Sequence, residues 1–253
     1  MNAKTSMKKQ RIDYLLVELG FADSSVKAQA LIMAGVILVD ERRVEKSSEA
    51  FPRQSNIRIK GASAVKRFVG RGGLKLEKAL HEFQICVGEY VCLDVGASTG
   101  GFTDCLLQNG AKKVFTIDVG TNQLDWKLRR DERTEVRENV NARHLKPADF
   151  PESFDLIVMD VAFISATKIL PALIPLLQPA GKMIVLIKPQ FEVGKTEVES
   201  GGIVRDPEKH ARVIAEVNSF AENCGLRVSG VIDSPILGAD GNREFLAFYQ
   251  LRR

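Results

Sequence analysis

The sequence predicts an α/β fold: a Rossmann-like, mostly parallel seven-stranded sheet with an antiparallel last strand, preceded by a small α+β domain. Three observations predict it. From residue 90 onward, short β-branched runs alternate with helical patterns, which implies strands joined by crossovers in a sheet covered on both faces. The first of those runs ends in a glycine cluster, DVGASTGG at 94–101. The charge is also divided: residues 1–80 carry 16 Lys/Arg against 8 Asp/Glu, and the remainder 20 against 24. A basic segment joined to a mildly acidic one marks two domains, the first of which suits a polyanion.

In chain order, Ile12, Leu15, Leu16 and Leu19 recur at helical spacing until Gly20. Ser24 or Ser25 is placed to cap a second helix, whose apolar face is Ala28, Leu31 and Ile32 and which ends at Gly35. Residues 36–39 read as a strand, 40–42 as a turn, and Val44 continues the pairing. Ile57 and Ile59 alternate with Arg58 and Lys60 as in a half-buried strand. These elements make a domain over 1–62. Residues 63–72 read as a linker, glycine-rich and basic with little to bury, and 73–253 as the second domain. A short helix is expected over 74–83. Strands follow at 90–95, 113–118, 134–138, 154–160, 182–187, 227–232 and 245–249. The short connection before the last favours an antiparallel hairpin with the sixth.

Composition excludes several classes. With 45% hydrophobic and 27% charged residues, the chain has ordinary globular proportions. No apolar segment backs the charges of MNAKTSMKKQ, so no secretory signal is expected. The most apolar stretch, 169–177, is broken by Pro171 and Pro175 and falls short of the roughly 20 residues a span needs. Cys86, Cys92, Cys105 and Cys224 show neither CxxC spacing nor histidine partners, which argues against a metal site or a disulfide framework. The expectation is a cytoplasmic protein without metal or membrane.

The glycine cluster carries the first chemistry. Gly96, Ala97, Ser98, Thr99, Gly100, Gly101 and Phe102 form a turn after the first strand, where glycine lets backbone approach a ligand closely. Asp118 ends the next strand 22 residues after Gly96, the place from which an acid receives ribose hydroxyls in this fold. The competing dinucleotide fingerprint, GxGxxG, fails at Ser98. Asp94, just ahead of the glycines, suits a cationic amino-acid-bearing ligand better than a pyrophosphate. Together these point to S-adenosyl-L-methionine as cofactor.

Lys75, Asp160, Lys188 and Glu244 carry the second. Asp160 and Lys188 end strands whose carboxyl ends face one crevice. Glu244 reaches the same rim by opening a strand that runs the other way, and Lys75 lies on the helix before the first strand. Two lysines with two carboxylates suit deprotonation of a weakly acidic hydroxyl, because a second ammonium lowers the pKa of a base lysine. Lys188 is the expected base, held by Asp160, tuned by Lys75 and supported by Glu244. Asp160-Val161-Ala162-Phe163 lacks the Asp/Asn-Pro-Pro-aromatic text of amino-directed base methylation. None of the four cysteines lies near the ends of the fourth or fifth strand, as cytosine C5 chemistry would need. Ribose O-methylation survives both exclusions.

The pieces RGGLKL at 71–76, DVGASTGGFTDCLL at 94–107, DVAFIS at 160–165, LIKPQFE at 186–192 and GNREFL at 241–246 resemble the TlyA family of ribosomal RNA 2′-O-methyltransferases, whose catalytic domain is FtsJ-like. The resemblance spans nearly the whole chain. It implies a Rossmann-like methyltransferase domain, a Lys-Asp-Lys-Glu tetrad on Lys75, Asp160, Lys188 and Glu244, and ribosomal RNA or ribosomal subunits as partner. Residues 7–60 resemble the small S-four RNA-binding module of ribosomal proteins. Ser25 stands where that module usually has arginine, and Lys27 offers a nearby charge. Lys8, Lys9, Arg11, Lys27, Arg42, Arg43, Arg67 and Arg71 are the expected RNA contacts, and 67–73 a segment that couples RNA docking to cofactor binding. Two rivals remain. The family's other label is hemolysin, for which the sequence offers neither a span nor a long amphipathic segment. A non-catalytic RNA-binding protein that kept the fold is opposed by the intact tetrad.

Overall fold

The computed structural model describes residues 9–19, 21–22, 24–40, 42–53, 55, 57–59, 68–238 and 241–252. It divides into two compact units, Met1–Arg67 and Phe68–Arg253. The Lys8 and Arg67 expectations lie outside the described residues.

In the first unit, β1 (Lys9–Arg11) runs into α1 (Ile12–Glu18), followed by α2 (Ser25–Met33), β2 (Ile37–Val39), β3 (Arg42–Arg43), β4 (Ala50–Pro52) and β5 (Ile57–Ile59). Ile12, Leu15 and Leu16 of α1 are fully buried against Ala28 and Ile32 of α2 and Ile37 and Val39 of β2. Ser24 caps α2, its hydroxyl accepting the Lys27 amide at 3.3 Å. The antiparallel pair of β1 with β4 has no counterpart in the sequence reading. Lys-Gln-Arg has no apolar alternation and Ala-Phe-Pro carries a proline, so pattern gave no warning.

The second unit holds α3 (Gly72–Glu82), β6 (Val91–Val95), α4 (Gly101–Gln108), β7 (Lys113–Ile117), α5 (Trp126–Arg129), β8 (Thr134–Arg137), β9 (Phe154–Met159), α6 (Leu170–Leu173), β10 (Leu177–Ile187), α7 (Pro189–Glu192), α8 (Pro207–Asn223), β11 (Leu226–Asp233) and β12 (Phe245–Leu251). The sheet order is β11-β12-β10-β9-β6-β7-β8. The five strands β10, β9, β6, β7 and β8 are parallel. β12 lies between β10 and β11 and runs antiparallel to both. Alternate residues feed two cores. Leu93, Ile157, Val185 and Tyr249 pack with Val213 and Val217 of α8. Cys92, Leu156, Ile184 and Phe248 pack with α3, α4 and α5 on the other face.

Two expectations are corrected. β10 begins at Leu177 rather than 182, its pairing with β9 interrupted by an irregularity between Leu177 and Lys182 where Pro179 and Gly181 break the pattern. Of the linker expected over 63–72, residues 63–67 lie outside the described residues, and 68–72 are packed on the second unit. Phe68 is 4% exposed, and the Val69 amide donates to Asp104 of α4 at 2.8 Å. α3 also starts on Gly72 and Gly73, against helix propensity. The reason is packing: a Cβ on Gly73 would sit 2.3 Å from the Phe68 ring.

Candidate active site

The carboxyl edge of the parallel strands gathers the charged residues. β6 ends in Val95 and turns at Gly96 (φ +82°), where a Cβ would stand 2.4 Å from the Asp160 carbonyl oxygen. Only glycine lets the β6 and β9 termini approach this closely. Gly100 (φ +95°) then opens α4, beneath the side chains of Leu124 and Leu128. Asp118 follows β7, and its carboxylate accepts the amides of Ser98 at 2.8 Å and Gly120 at 2.7 Å. That carboxylate therefore shapes the turn as well as facing it.

Asp94 sits under this turn and is fully buried. One of its oxygens, Oδ2, accepts the Thr103 hydroxyl at 2.6 Å, and the other, Oδ1, has no partner. Burial pushes its carboxyl up to about 7, with Asp160 and Asp118 adding like charge and Thr103 opposing. A buried acceptor without a donor, below a glycine turn that excludes side chains, fits a ligand bearing a cationic group. Thr103 escaped the sequence reading, although the helical spacing from Gly100 marks it as facing back towards β6. Ala97 and Phe102, expected to touch the cofactor, instead bury their side chains in the core between α3, α4 and the sheet. Only their backbone is left to line the turn. Ser98 and Thr99 are exposed.

Four residues from four elements form one ion-paired chain. Lys188, first residue after β10, places Nζ 2.5 Å from Asp160 Oδ1. Asp160, first after β9, places Oδ2 3.8 Å from Lys75 Nζ. Lys75 on α3 donates to Glu244 Oε2 at 2.6 Å. Lys75 and Glu244 are buried, while Lys188 and Asp160 keep a small exposed fraction. Glu244 rests against Gly238, where a Cβ would lie 2.5 Å from its Oε1.

Supporting residues lie around the chain. Glu192, at the end of α7, accepts the Ser165 hydroxyl at 2.5 Å and the Ala166 amide at 2.8 Å, joining the loop after β9 to the loop after β10. Burial raises its carboxyl above the ordinary range. Asn242, two residues before Glu244, accepts the Val204 amide at 2.9 Å and donates to the Gly202 carbonyl at 2.9 Å. Neither carries a spacing signal; only the fold reveals them. Phe163 is 91% exposed with φ +64°, and its ring centroid is 5.2 Å from that of Phe191, beside Lys188.

The expected RNA contacts are distributed over both units. Lys9, Arg11, Lys27, Arg42 and Arg43 are exposed on the first, and Arg71 on the second, at the start of α3. Arg11 is partly committed, paired with buried Asp13 at 2.8 Å. Arg43 lies over Gly35, where a Cβ would meet the guanidinium at 2.2 Å.

Among the described residues no helix is long and apolar enough to cross a membrane, and no cluster of acidic, His or Cys side chains could hold a metal. A profile of FtsJ-like methyltransferases matches residues 68–251, and one of S4 domains matches 10–51. A relative in Bacillus subtilis, provisionally named rRNA methyltransferase YqxC, is 49% identical over 94% of this chain and 85% of its own. The 16S/23S rRNA (cytidine-2′-O)-methyltransferase TlyA of Mycobacterium tuberculosis is 41% identical over 94% of this chain and 88% of its own. A solved structure from Streptococcus thermophilus, provisionally named a hemolysin, superposes with a TM-score of 0.76 at 42% identity, covering 98% of this chain and 90% of that one. The glycine turn over a buried acid, the paired tetrad at the strand ends and the S4 domain ahead of them place the chain in the FtsJ-like methyltransferase family, alongside the TlyA rRNA methyltransferases.

Proposed function

We propose that the protein is an S-adenosyl-L-methionine-dependent methyltransferase that modifies a ribose 2′-hydroxyl of ribosomal RNA. The observation that carries this reading is the Lys188–Asp160–Lys75–Glu244 chain beside the glycine turn. The names of relatives support the same acceptor.

The residues divide into a donor wall and an acceptor wall. Gly96, Ser98 and Gly100 would hold the donor against the backbone, Asp118 would receive its ribose, and Asp94 its ammonium group. When bound, the donor supplies an electrophilic methyl on a sulfonium sulfur. Lys188 would take the proton of the acceptor hydroxyl as that oxygen is methylated. Asp160 stabilises the ammonium that results. Lys75 divides the Asp160 carboxylate with Lys188, and Glu244 fixes Lys75. Phe163 and Phe191 give an aromatic lip beside Lys188 for the target nucleotide's base. The S4 domain supplies phosphate contacts from Lys9, Lys27, Arg42 and Arg43, giving affinity rather than sequence choice.

The test is transfer of labelled methyl to ribosomal subunits. Wild type labels RNA and Lys188→Ala does not. Label that blocks alkaline cleavage of the adjacent phosphodiester marks the 2′ position, whereas a methylated base refutes the tetrad mechanism. Absence of transfer together with lysis of red cells would favour the hemolysin label that some relatives carry.

A further inference from the structure

The second unit exposes four large hydrophobic side chains: Val119, Trp126, Phe163 and Leu237. All four sit at the carboxyl edge of the sheet. Val119 and Trp126 follow β7, Phe163 follows β9, and Leu237 lies between β11 and β12, whose antiparallel course brings that connection to the same edge. Scattered exposed apolar residues need no explanation, but a set confined to one rim does. Phe163 already belongs to the acceptor wall. Trp126 does not.

Trp126 is the only tryptophan of the chain and is 64% exposed. It opens α5, whose start is fixed to the glycine turn: the Asp125 amide donates to the Thr99 carbonyl at 3.1 Å, and Leu124 and Leu128 cover Gly100. With Leu124 and Leu128 turned inward, Trp126 and Arg130 turn outward. The Arg130 guanidinium lies 4.9 Å from the indole centroid and, among the described residues, pairs with no carboxylate. The run 126–133 carries four Lys/Arg against two Asp/Glu. An exposed indole backed by a free guanidinium, in a basic run, is the composition of a base-stacking platform for single-stranded nucleic acid.

We infer that Trp126 and Arg130 form a second nucleotide-binding position for the RNA substrate, separate from the acceptor wall, in which an unpaired base stacks on the indole and Arg130 meets a phosphate. It rests on the reading of the protein as an RNA methyltransferase. β7 lies two strands from β9, and strands are about 4.8 Å apart, so the platform stands on the far side of the donor turn from Asp160. RNA bound at both positions would cross the mouth of the donor pocket. A protein partner is less suited, because the indole stacks with the Arg130 guanidinium and lies in a run with an excess of Lys/Arg.

The single tryptophan makes the test direct. Excited at 295 nm, the full-length protein is titrated with protein-free ribosomal RNA transcript, and binding is followed in parallel by anisotropy of labelled RNA. Indole emission is expected to quench along the binding isotherm and to ignore S-adenosylhomocysteine. Trp126→Ala is expected to weaken RNA binding about five- to 150-fold, the range for losing one base–aromatic stack, while Trp126→Phe recovers most of it. Emission unmoved at saturating RNA overturns the inference. Quenching by S-adenosylhomocysteine alone also overturns it, because the indole would then cover the donor. Methyl transfer to ribosomal subunits separates the two levels. Transfer by wild type with unmoved emission removes this platform only, and no transfer by wild type removes the underlying reading and the platform with it.

Discussion

Asp94 offers the most quantitative handle on the donor pocket. Its carboxyl rises from 3.8 to about 7 because the fold buries it, with Thr103 bonded to it and Oδ1 left without a partner. A rise of that size is about 4 kcal/mol of preference for the neutral form. Since the folded value lies above the unfolded one, this contribution to stability is whole below about pH 4 and is lost as pH rises through 7. A cationic ligand group beside Oδ1 reverses the preference, so donor binding must release the Asp94 proton below pH 7. Affinity for S-adenosylhomocysteine, measured by calorimetry, is then expected to improve up to about tenfold per pH unit from 5.5 to 7 and then level off. The range stays below the titration of an α-amino group near 8. Asp94→Asn keeps an acceptor for Thr103 and removes the ionisation. It is expected to be more heat-stable than wild type at pH 8, to bind the ligand more weakly, and to show no pH slope. A flat wild-type profile, or an unchanged slope in Asp94→Asn, refutes the placement of the ammonium group at Asp94.

Other perturbations test the surrounding parts. Gly96→Ala drives a methyl group to within 2.4 Å of the Asp160 carbonyl at φ +82°, and urea unfolding should show a loss of at least about 1–3 kcal/mol. Glu192→Ala releases Ser165 and Ala166 from the loop after β10; kcat for methyl transfer should fall about tenfold with donor affinity unchanged. Glu244→Gln keeps a polar neighbour for Lys75 but removes its negative charge, leaving buried Lys75 to compete for Asp160. Transfer should drop further than folding stability, measured by activity and thermal melting on one preparation. RNA affinity should fall as salt rises, and Arg42→Ala with Arg43→Ala should make that slope shallower by roughly two.

How much of this was legible follows from what each feature depends on. The parallel strands and the turn were readable because β-branched runs and glycines act locally. Lys188, Asp160 and Glu244 were readable because strand ends in a doubly wound sheet converge by topology alone. Asn242 and Glu192 were not, since each grips backbone of a segment distant in sequence, and no periodicity records such a partner. The fate of residues 68–72 was hidden for a related reason. A glycine pair reads as flexible, yet here Gly73 makes room for the Phe68 ring, and Gly101 lets α4 approach α3, its missing Cβ lying 2.9 Å from the Gly73 nitrogen. Phe102 was misplaced because a residue within a cofactor motif was read as facing the cofactor, while helix geometry turns its ring to the core.

The structure also separates the two lysines, which the sequence leaves equivalent in kind. Lys75 is held by Glu244 at 2.6 Å with Asp160 at 3.8 Å, whereas Lys188 has Asp160 alone at 2.5 Å. Asp160 is shared, and Lys75 draws part of its field away from Lys188. Lys188 is also the lysine beside the Phe191 ring, 5.9 Å from its centroid, at the end of the chain of charges opposite Glu244. The four residues are therefore asymmetric: Lys75 sits between two carboxylates, and among the described residues Lys188 pairs with Asp160 alone.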